Sequence, residues 1–358
     1  MLSDFFKGKR ILVTGHTGFK GGWLSHILLN MGAEVSGCSL APDTEPNLFS
    51  VLGLEKRTNS HILDIRRQEG LAAIFQDEDP EIVLHLAAQP LVRQSYEDPL
   101  YTFSTNVMGT ANVLECARTS ASVKSVVVVT TDKVYEDKGG ARPYREDDEL
   151  GGYDPYAASK VCAEHVSRSY RRSFFNPDKG DPRLFLATAR SGNVVGGGDW
   201  SKDRLVPDMV RAFLEKGEEA TLRNPKAIRP WQHVLDPLFG YLLLAKRLYE
   251  KDKEAASAWN FAPEEENFIT VEELAQRSIK LLGKGTYSLT ADKDRHETEV
   301  LKLDAGKAKR HLGWKPVLGI DESLEWTMRW YSDFYSAKDV VELTDSQIGS
   351  FMERIDYG

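Results

Sequence analysis

Cysteine is scarce in this chain: of 358 residues, only Cys38, Cys116 and Cys162 carry a thiol. Each stands in a mostly apolar stretch and none in a CxxC or histidine-rich setting. So sparse and odd a count argues against a disulfide framework and a cysteine-ligated zinc, and suits a reducing compartment. His16 and His296 are lone histidines without ligand spacing, so no metal is expected. Basic charge is in short supply as well. Lys and Arg number 46 against 54 Asp and Glu, a net charge of -8, which is the wrong balance for a protein that grips a nucleic-acid backbone. A small anion stays within reach, because a helix N-terminus and one or two arginines can hold a diphosphate. Long apolar runs are also missing. Residues 239–245 are among the greasiest and fall far short of a membrane span, and the opening MLSDFFKGKR has no signal-peptide apolar region. No membrane association is expected, and the cytoplasm is the expected location. Internal repeats, low-complexity tracts and long linkers are absent too.

What is present is an ordinary globular balance of 41% hydrophobic and 28% charged residues. The length suits a large dinucleotide-binding domain with a smaller domain attached. Residues 10–13, 34–39, 61–64, 82–88, 126–131 and 184–195 read as strands. The later of these are continuous Val/Ile/Leu runs, as buried parallel strands require. Between them lie helical segments: Trp23, Leu24, Ile27, Leu28 and Met31 recur at helical spacing before Gly32, and residues 102–118 and 156–172 are amphipathic. The alternation predicts an α/β fold, a doubly wound parallel Rossmann sheet with right-handed crossovers and a smaller C-terminal α/β substrate domain. The expected division is 1–196 for the cofactor and 197–358 mainly for the substrate, with interleaved crossovers. Beyond residue 196, helices are expected at 203–216, 241–251 and 271–282, with irregular segments between them.

The sharpest local signal is Thr14-Gly-His-Thr-Gly-Phe-Lys-Gly21, directly after the first strand and directly before a helix. Gly15 permits the tight turn, Gly18 lets the backbone approach a pyrophosphate, and Gly21 allows close helix–strand packing. Spare glycines in an ordinary turn would look the same in isolation, but the first βα junction is where a dinucleotide binds. Thr17 and Phe19 belong to the same loop. The acidic residue usual at the end of the second strand is missing, since the chain there reads Gly37-Cys-Ser39. NAD rather than NADP is therefore inferred from the absence of a neighbouring arginine and from the resemblance given below. Asp64 suits an adenine contact and a helix N-cap equally.

Two further stretches carry acid–base chemistry. Tyr156-Ala-Ala-Ser-Lys160 opens a helix, and a spacing of four places phenol and ammonium on one face. A cation there stabilises phenolate, which predicts a tyrosine pKa lowered toward neutrality and a base. Thr130-Thr-Asp-Lys133 follows the fifth strand, at the edge where open α/β sheets bind ligands. A solvated ion pair in a surface turn is the plain alternative for Asp132-Lys133.

Together the glycine loop, Leu86-Ala87-Ala88 after the fourth strand, Thr131 and YxxxK resemble the extended short-chain dehydrogenase/reductases. Within them, Thr130–Tyr135, Arg229-Pro-Trp-Gln-His-Val-Leu235 and Leu301-Lys-Leu-Asp304 resemble the nucleotide-sugar 4,6-dehydratases. Lys133 stands where the dTDP-glucose branch has Glu and matches the CDP-glucose branch. The likeness runs from residue 8 to about residue 335. It implies NAD as cofactor, contacted by the glycine loop, Asp64, Ile65, Leu86, Ala87, Ala88, Tyr156 and Lys160. It implies CDP-glucose as the nucleotide-diphosphosugar partner, held by Gln89, Asn193, Arg204 and Arg229. It also implies roles. Tyr156, with Lys160 and Thr131, takes the C4 hydroxyl proton while NAD takes the hydride. Lys133 removes the C5 proton, Asp132 protonates the departing C6 hydroxyl, and the hydride returns to C6. Read without the resemblance, Asn193 serves equally as an interdomain hydrogen bond and Arg229 as a surface charge. Trp200 and Trp231 suit buried core better than base stacking. The resemblance further implies a homodimer through the helices at 102–118 and 156–172. A 4-epimerase on the same scaffold needs no acid–base pair like Asp132-Lys133. A non-catalytic dinucleotide sensor needs neither Tyr156 nor Lys160.

Overall fold

A computed structural model describes residues 2–139, 142–290 and 301–355; His296 lies outside them. Seven parallel strands form the central sheet: β1 (Arg10–Thr14), β2 (Glu34–Ser39), β3 (Asn59–Ile62), β4 (Ile82–His85), β5 (Ser125–Val129), β6 (Phe185–Ser191) and β7 (Ala258–Phe261), in the spatial order 3-2-1-4-5-6-7. The order reverses between β1 and β4, so the chain leaves these two strands in opposite directions and opens a crevice beyond their carboxyl ends. Every residue of β4, β5 and β6 is buried, which is why β4 and β5 read as apolar runs instead of alternating ones.

Helix α1 (Phe19–Asn30) descends from the glycine loop with Trp23, Leu24, Ile27 and Leu28 fully buried. It is apolar around most of its circumference because it is wedged between the sheet and later parts of the chain. Its indole Trp23 Nε1 donates to the Gly197 carbonyl at 2.9 Å. On that face of the sheet a single hydrophobic core joins Leu12's neighbours Ile11 and Val13 to Leu242, Trp314, Trp330 and Phe351. The opposite face carries a smaller core around Leu71, Val113 and Leu186, covered by α2 (Gln68–Glu78), α3 (Gly109–Thr119) and α4 (Pro155–Ser173). No helix among the described residues is long and apolar enough to cross a membrane.

Three local expectations are corrected. The strand expected over 184–195 stops at Ser191, and Val194–Val195 pairs instead with Gln232–His233 in a separate two-stranded ladder. Gly192 makes the break: a Cβ there would stand 2.8 Å from Pro230 and 2.9 Å from Asp132 Oδ2, so no side chain fits and the strand parts. The region after 251, expected to be irregular, supplies β7, a four-residue strand whose apolar residues Asn260 interrupts. The helix expected at 241–251 is α5, which begins earlier and spans Leu235–Tyr249. Pro237 lies in its first turn, where a missing N–H removes no helical bond.

Candidate active site

Two cavities meet at the carboxyl edge of the sheet. The smaller, about 420 Å³, is entered by the glycine loop. Gly15 adopts φ +78°, and a Cβ on it would press to 2.8 Å from Ala87 N; one on Gly21 would fall 2.0 Å from the Gly15 carbonyl. These two glycines are demanded by the protein itself. Gly18 is different: its Cβ would meet only Gly15 O, at an ordinary 3.5 Å. It caps α1 without any side-chain bond, so the first N–H groups of the helix are left for an anionic ligand. Thr17, Gly18, Phe19, Asp64, Ile65 and Leu86-Ala87-Ala88 all line this cavity, together with Tyr156 and Lys160. A cradle that excludes side chains, tipped by a helix N-terminus and walled by strand ends, fits a dinucleotide pyrophosphate.

At the end of β2 the cavity wall runs through Ser39 and Leu40 to the carboxylate of Asp43. Ser39 Oγ pairs with Thr17 Oγ1 at 2.8 Å, and Thr17 also donates to Leu40 O. Asp64 caps no helix, since the N-cap of α2 is Arg67. It lines the cavity, and its carboxylate accepts from Arg66 N and from the Arg66 guanidinium, which holds its pKa below the usual carboxylate range.

The larger cavity, about 670 Å³, is lined by Thr131, Asp132, Lys133, Tyr156, Asn193, Arg204 and Arg229. Asp154 caps α4 by accepting from Ala157 N at 2.9 Å, with Pro155 at the first helical position. That start fixes Tyr156 at the mouth of both cavities and Lys160 one turn below. Lys160 Nζ donates to Val129 O at 3.2 Å, and burial lowers its pKa to about 8. The predicted fall in the Tyr156 pKa is not what the protein alone produces. Burial pushes the phenol up to about 12, opposed by a hydrogen bond with Thr131. The ammonium of Lys160 is turned to a backbone carbonyl, and desolvation outweighs the lowering by Thr131 and Arg204.

Asp132 is buried beside this pair. Its Oδ1 accepts from Thr131 Oγ1 at 3.0 Å, while Oδ2 has no hydrogen-bond partner among the described residues. Burial raises its pKa, against the pull of Lys133, Thr131, Arg229 and Lys20. The solvated surface pair is thereby excluded for Asp132. A buried carboxyl with a raised pKa and one oxygen without a partner among the described residues is suited to donate a proton.

The remaining predicted residues separate. Arg229 is buried and donates to Ile228 O, which ends its reading as a surface charge; Arg204 pairs with Asp199 at 3.1 Å and lines both cavities. Gln89 lies on the wall of the smaller cavity, with its Oε1 accepting from Leu91 N and its Nε2 donating to Thr102 Oγ1. Each of these bonds uses one of the two that its end of the amide can form. Trp200 packs among Trp330, Tyr331 and Phe334, whereas Trp231, also buried, reaches the wall of the larger cavity. One functional side chain escaped sequence reasoning: Lys20, which lines both cavities. The signal was inside the glycine loop itself, in a charged residue between Phe19 and Gly21.

Comparison with known proteins follows the same lines. The family model described as GDP-mannose 4,6 dehydratase matches residues 12–327. A CDP-glucose 4,6-dehydratase of Salmonella typhimurium is 45% identical over 351 residues, covering 98% of this chain and 98% of that protein. A solved dTDP-glucose 4,6-dehydratase of Streptomyces venezuelae with NAD bound is 26% identical, with a TM-score of 0.79, covering 93% of this chain and 99% of that one. The UDP-glucose 4-epimerase of Thermus thermophilus, in complex with NAD, is 26% identical with a TM-score of 0.77 and covers 90% and 99%.

Proposed function

We propose, from the premise that this chain belongs to the GDP-mannose 4,6 dehydratase family and is an NAD-dependent nucleotide-sugar 4,6-dehydratase, that its substrate is CDP-D-glucose and its product CDP-4-dehydro-6-deoxy-D-glucose. The cytidine assignment is supported by the 45% identity to a CDP-glucose enzyme and by Lys133 following Asp132.

Bound NAD supplies a hydride acceptor for C4 and a hydride donor for C6. The protein's residues move the protons. Tyr156 takes the proton of the C4 hydroxyl, which Thr131 orients from the other side. The ketone formed at C4 acidifies the C5–H bond. Lys133 withdraws that proton, and Asp132 delivers its own to the C6 hydroxyl, which departs as water. Asn193 and Arg229 hold the diphosphate, the latter with the fork geometry that suits phosphate oxygens. Residues 1–196 serve mainly the cofactor and the remainder mainly the nucleotide sugar. The single observation that carries the reading is the buried Asp132 carboxyl with its unpartnered Oδ2. An epimerase that only removes and returns hydride at C4 has no leaving group for such an acid.

The enzyme pairs with a second copy through the helices preceding and following β5. Leu100 and Met108 are exposed there to 81% and 56%, more apolar surface than a solvated helix needs. Its three cysteines are free thiols, as suits a cytoplasmic enzyme. Incubation of the purified protein with NAD and CDP-, UDP- or dTDP-glucose, followed by alkali, tests the substrate. An alkali-induced ultraviolet band with CDP-glucose alone is the expected result. A band with another nucleotide instead would end the cytidine assignment. With every nucleotide silent, the 4-keto-6-deoxy product itself would be ruled out.

A further inference from the structure

Lys20 projects from the first turn of α1 and reaches the point where the two cavities join. Its Nζ donates to Ser191 Oγ at 2.9 Å and to Tyr241 OH at 3.5 Å, and those two hydroxyls are 2.7 Å apart. Ser191 is the last residue of β6. The next residue, Gly192, is the one whose Cβ would stand 2.9 Å from Asp132 Oδ2. The amino group from the β1 side and the carboxyl from the end of β5 are thus brought to adjacent positions at the end of β6.

Resting on the reading above, we propose that Lys20 is a positioning residue for the elimination half of the reaction. Its buried cation balances the charge left on Asp132 when that carboxyl gives up its proton. In the step concerned, the C5–H pair becomes the C5–C6 double bond and the proton goes to Lys133. The C6–O bond breaks, and its oxygen leaves as water with the Asp132 proton. No electron leaves the sugar in this step. What remains on the protein is a buried carboxylate whose Oδ2 has no hydrogen-bond partner among the described residues. A buried carboxylate is costly unless a positive charge stands near it. Three cations act on Asp132: Lys133, Arg229 and Lys20. Lys133, neutral as the base, gains its charge only with the C5 proton, and Arg229 is engaged with the diphosphate, so Lys20 is the cation that these roles leave over. Its own pKa is lowered to about 7 by burial, with Arg204 and Lys160 lowering it further and Asp132 opposing them. With Asp132 protonated that opposing pull is absent and the amine is more readily neutral; negative charge on Asp132 draws it to the ammonium.

The test is a single turnover of the holoenzyme with CDP-glucose, in wild type, Lys20→Met and Lys20→Arg. Absorbance of the reduced nicotinamide reports oxidation at C4, and the alkali-induced band reports the product. The Met variant is expected to reduce its cofactor at the wild-type rate and then hold it reduced. Its product should appear about 10- to 100-fold more slowly, short of the ~100- to 1000-fold lost with a donor touching the developing charge. The Arg variant, which keeps the charge, is expected to recover most of the rate. Product at the wild-type rate from Lys20→Met would overturn the proposal. So would a loss of cofactor reduction in step with product, because that places Lys20 on the nicotinamide or the fold. Should the Met variant fail to fold, Lys20→Gln is read by the same two signals. Failure of the wild type itself to form the product would instead sink the underlying reaction.

Discussion

The two cavities that meet at Tyr156 are built in opposite ways. The smaller is entered by an arrangement of backbone: Gly15 and Gly21 let the chain close on itself, Gly18 leaves an approach, and α1 presents its N-terminus. Its contributors sit at consecutive strand ends. The larger is an arrangement of side chains drawn from Lys20 to Arg229, with buried acids and bases pressed close together. A backbone cradle recognises what every dinucleotide shares. A side-chain cluster can be retuned one residue at a time, and this is where enzymes on one scaffold acquire different chemistry.

Asp132→Asn breaks the comparison most sharply on the side-chain half. It keeps the shape and removes the proton donor, so dehydration should fall by about 100- to 10,000-fold, while NAD binding, measured by titration, stays within about twofold. The sign of the pH dependence follows from the same carboxyl. Burial raises its pKa, and the acid acts only while protonated. The acid's contribution to product formation is therefore full below that raised pKa and is lost as pH rises through it. A wild-type rate whose decline at high pH persists unchanged in Asp132→Asn would show that another group sets it.

On the backbone half, Gly18→Ala should do the reverse. Its φ of -82° suits alanine and the new methyl meets only Gly15 O, at 3.5 Å, so thermal stability should be unchanged. NAD affinity should fall by about 10- to 100-fold, the consequence of roughly 1–3 kcal/mol of crowding against a ligand. Turnover at saturating NAD should stay near wild type. Gly21→Ala separates fold from ligand, because its methyl would lie 2.0 Å from Gly15 O and must lower the melting temperature as well. Equal NAD affinities for wild type and Gly18→Ala would mean that the loop does not cradle phosphate.

This contrast also explains what could be read from the sequence. The glycine loop was legible because backbone requirements leave a spacing, and β4 and β5 because burial on both faces leaves an apolar run. Strand β7 was not, since Asn260 interrupts the apolar residues of Ala258–Phe261. The parting of β6 at Gly192 was not either, because its cause is Pro230 and Asp132, distant in sequence. Lys20 was in view from the start inside a motif whose other residues had roles. Only the approach of Ser191 and Asp132, from two other strands, gives it one. The Tyr156 pKa was misjudged for a related reason: spacing locates Lys160, but where its ammonium points depends on Val129 O.

The smallest effect concerns the seam beneath the loop, where His16 is buried against Gly37, so closely that a Cβ on that glycine would lie 2.2 Å from the ring. Its Nε2 pairs with Ser60 Oγ at 2.7 Å. Burial first, and His61 second, lower its pKa from 6.5 to about 4. The unfolded chain therefore binds a proton at this site between those values while the folded chain does not. Stability tied to His16 is complete above the unfolded pKa and is lost as pH falls through that window toward the folded one. His16→Asn, unfolded by urea at about pH 7.5 and about pH 4.5, should lose less stability between the two than wild type, by about 1–3 kcal/mol. The backbone cradle would then owe its acid sensitivity to one side chain beneath it. An unchanged difference would place that sensitivity on the other buried histidines whose pKa burial lowers, His26, His85 and His233.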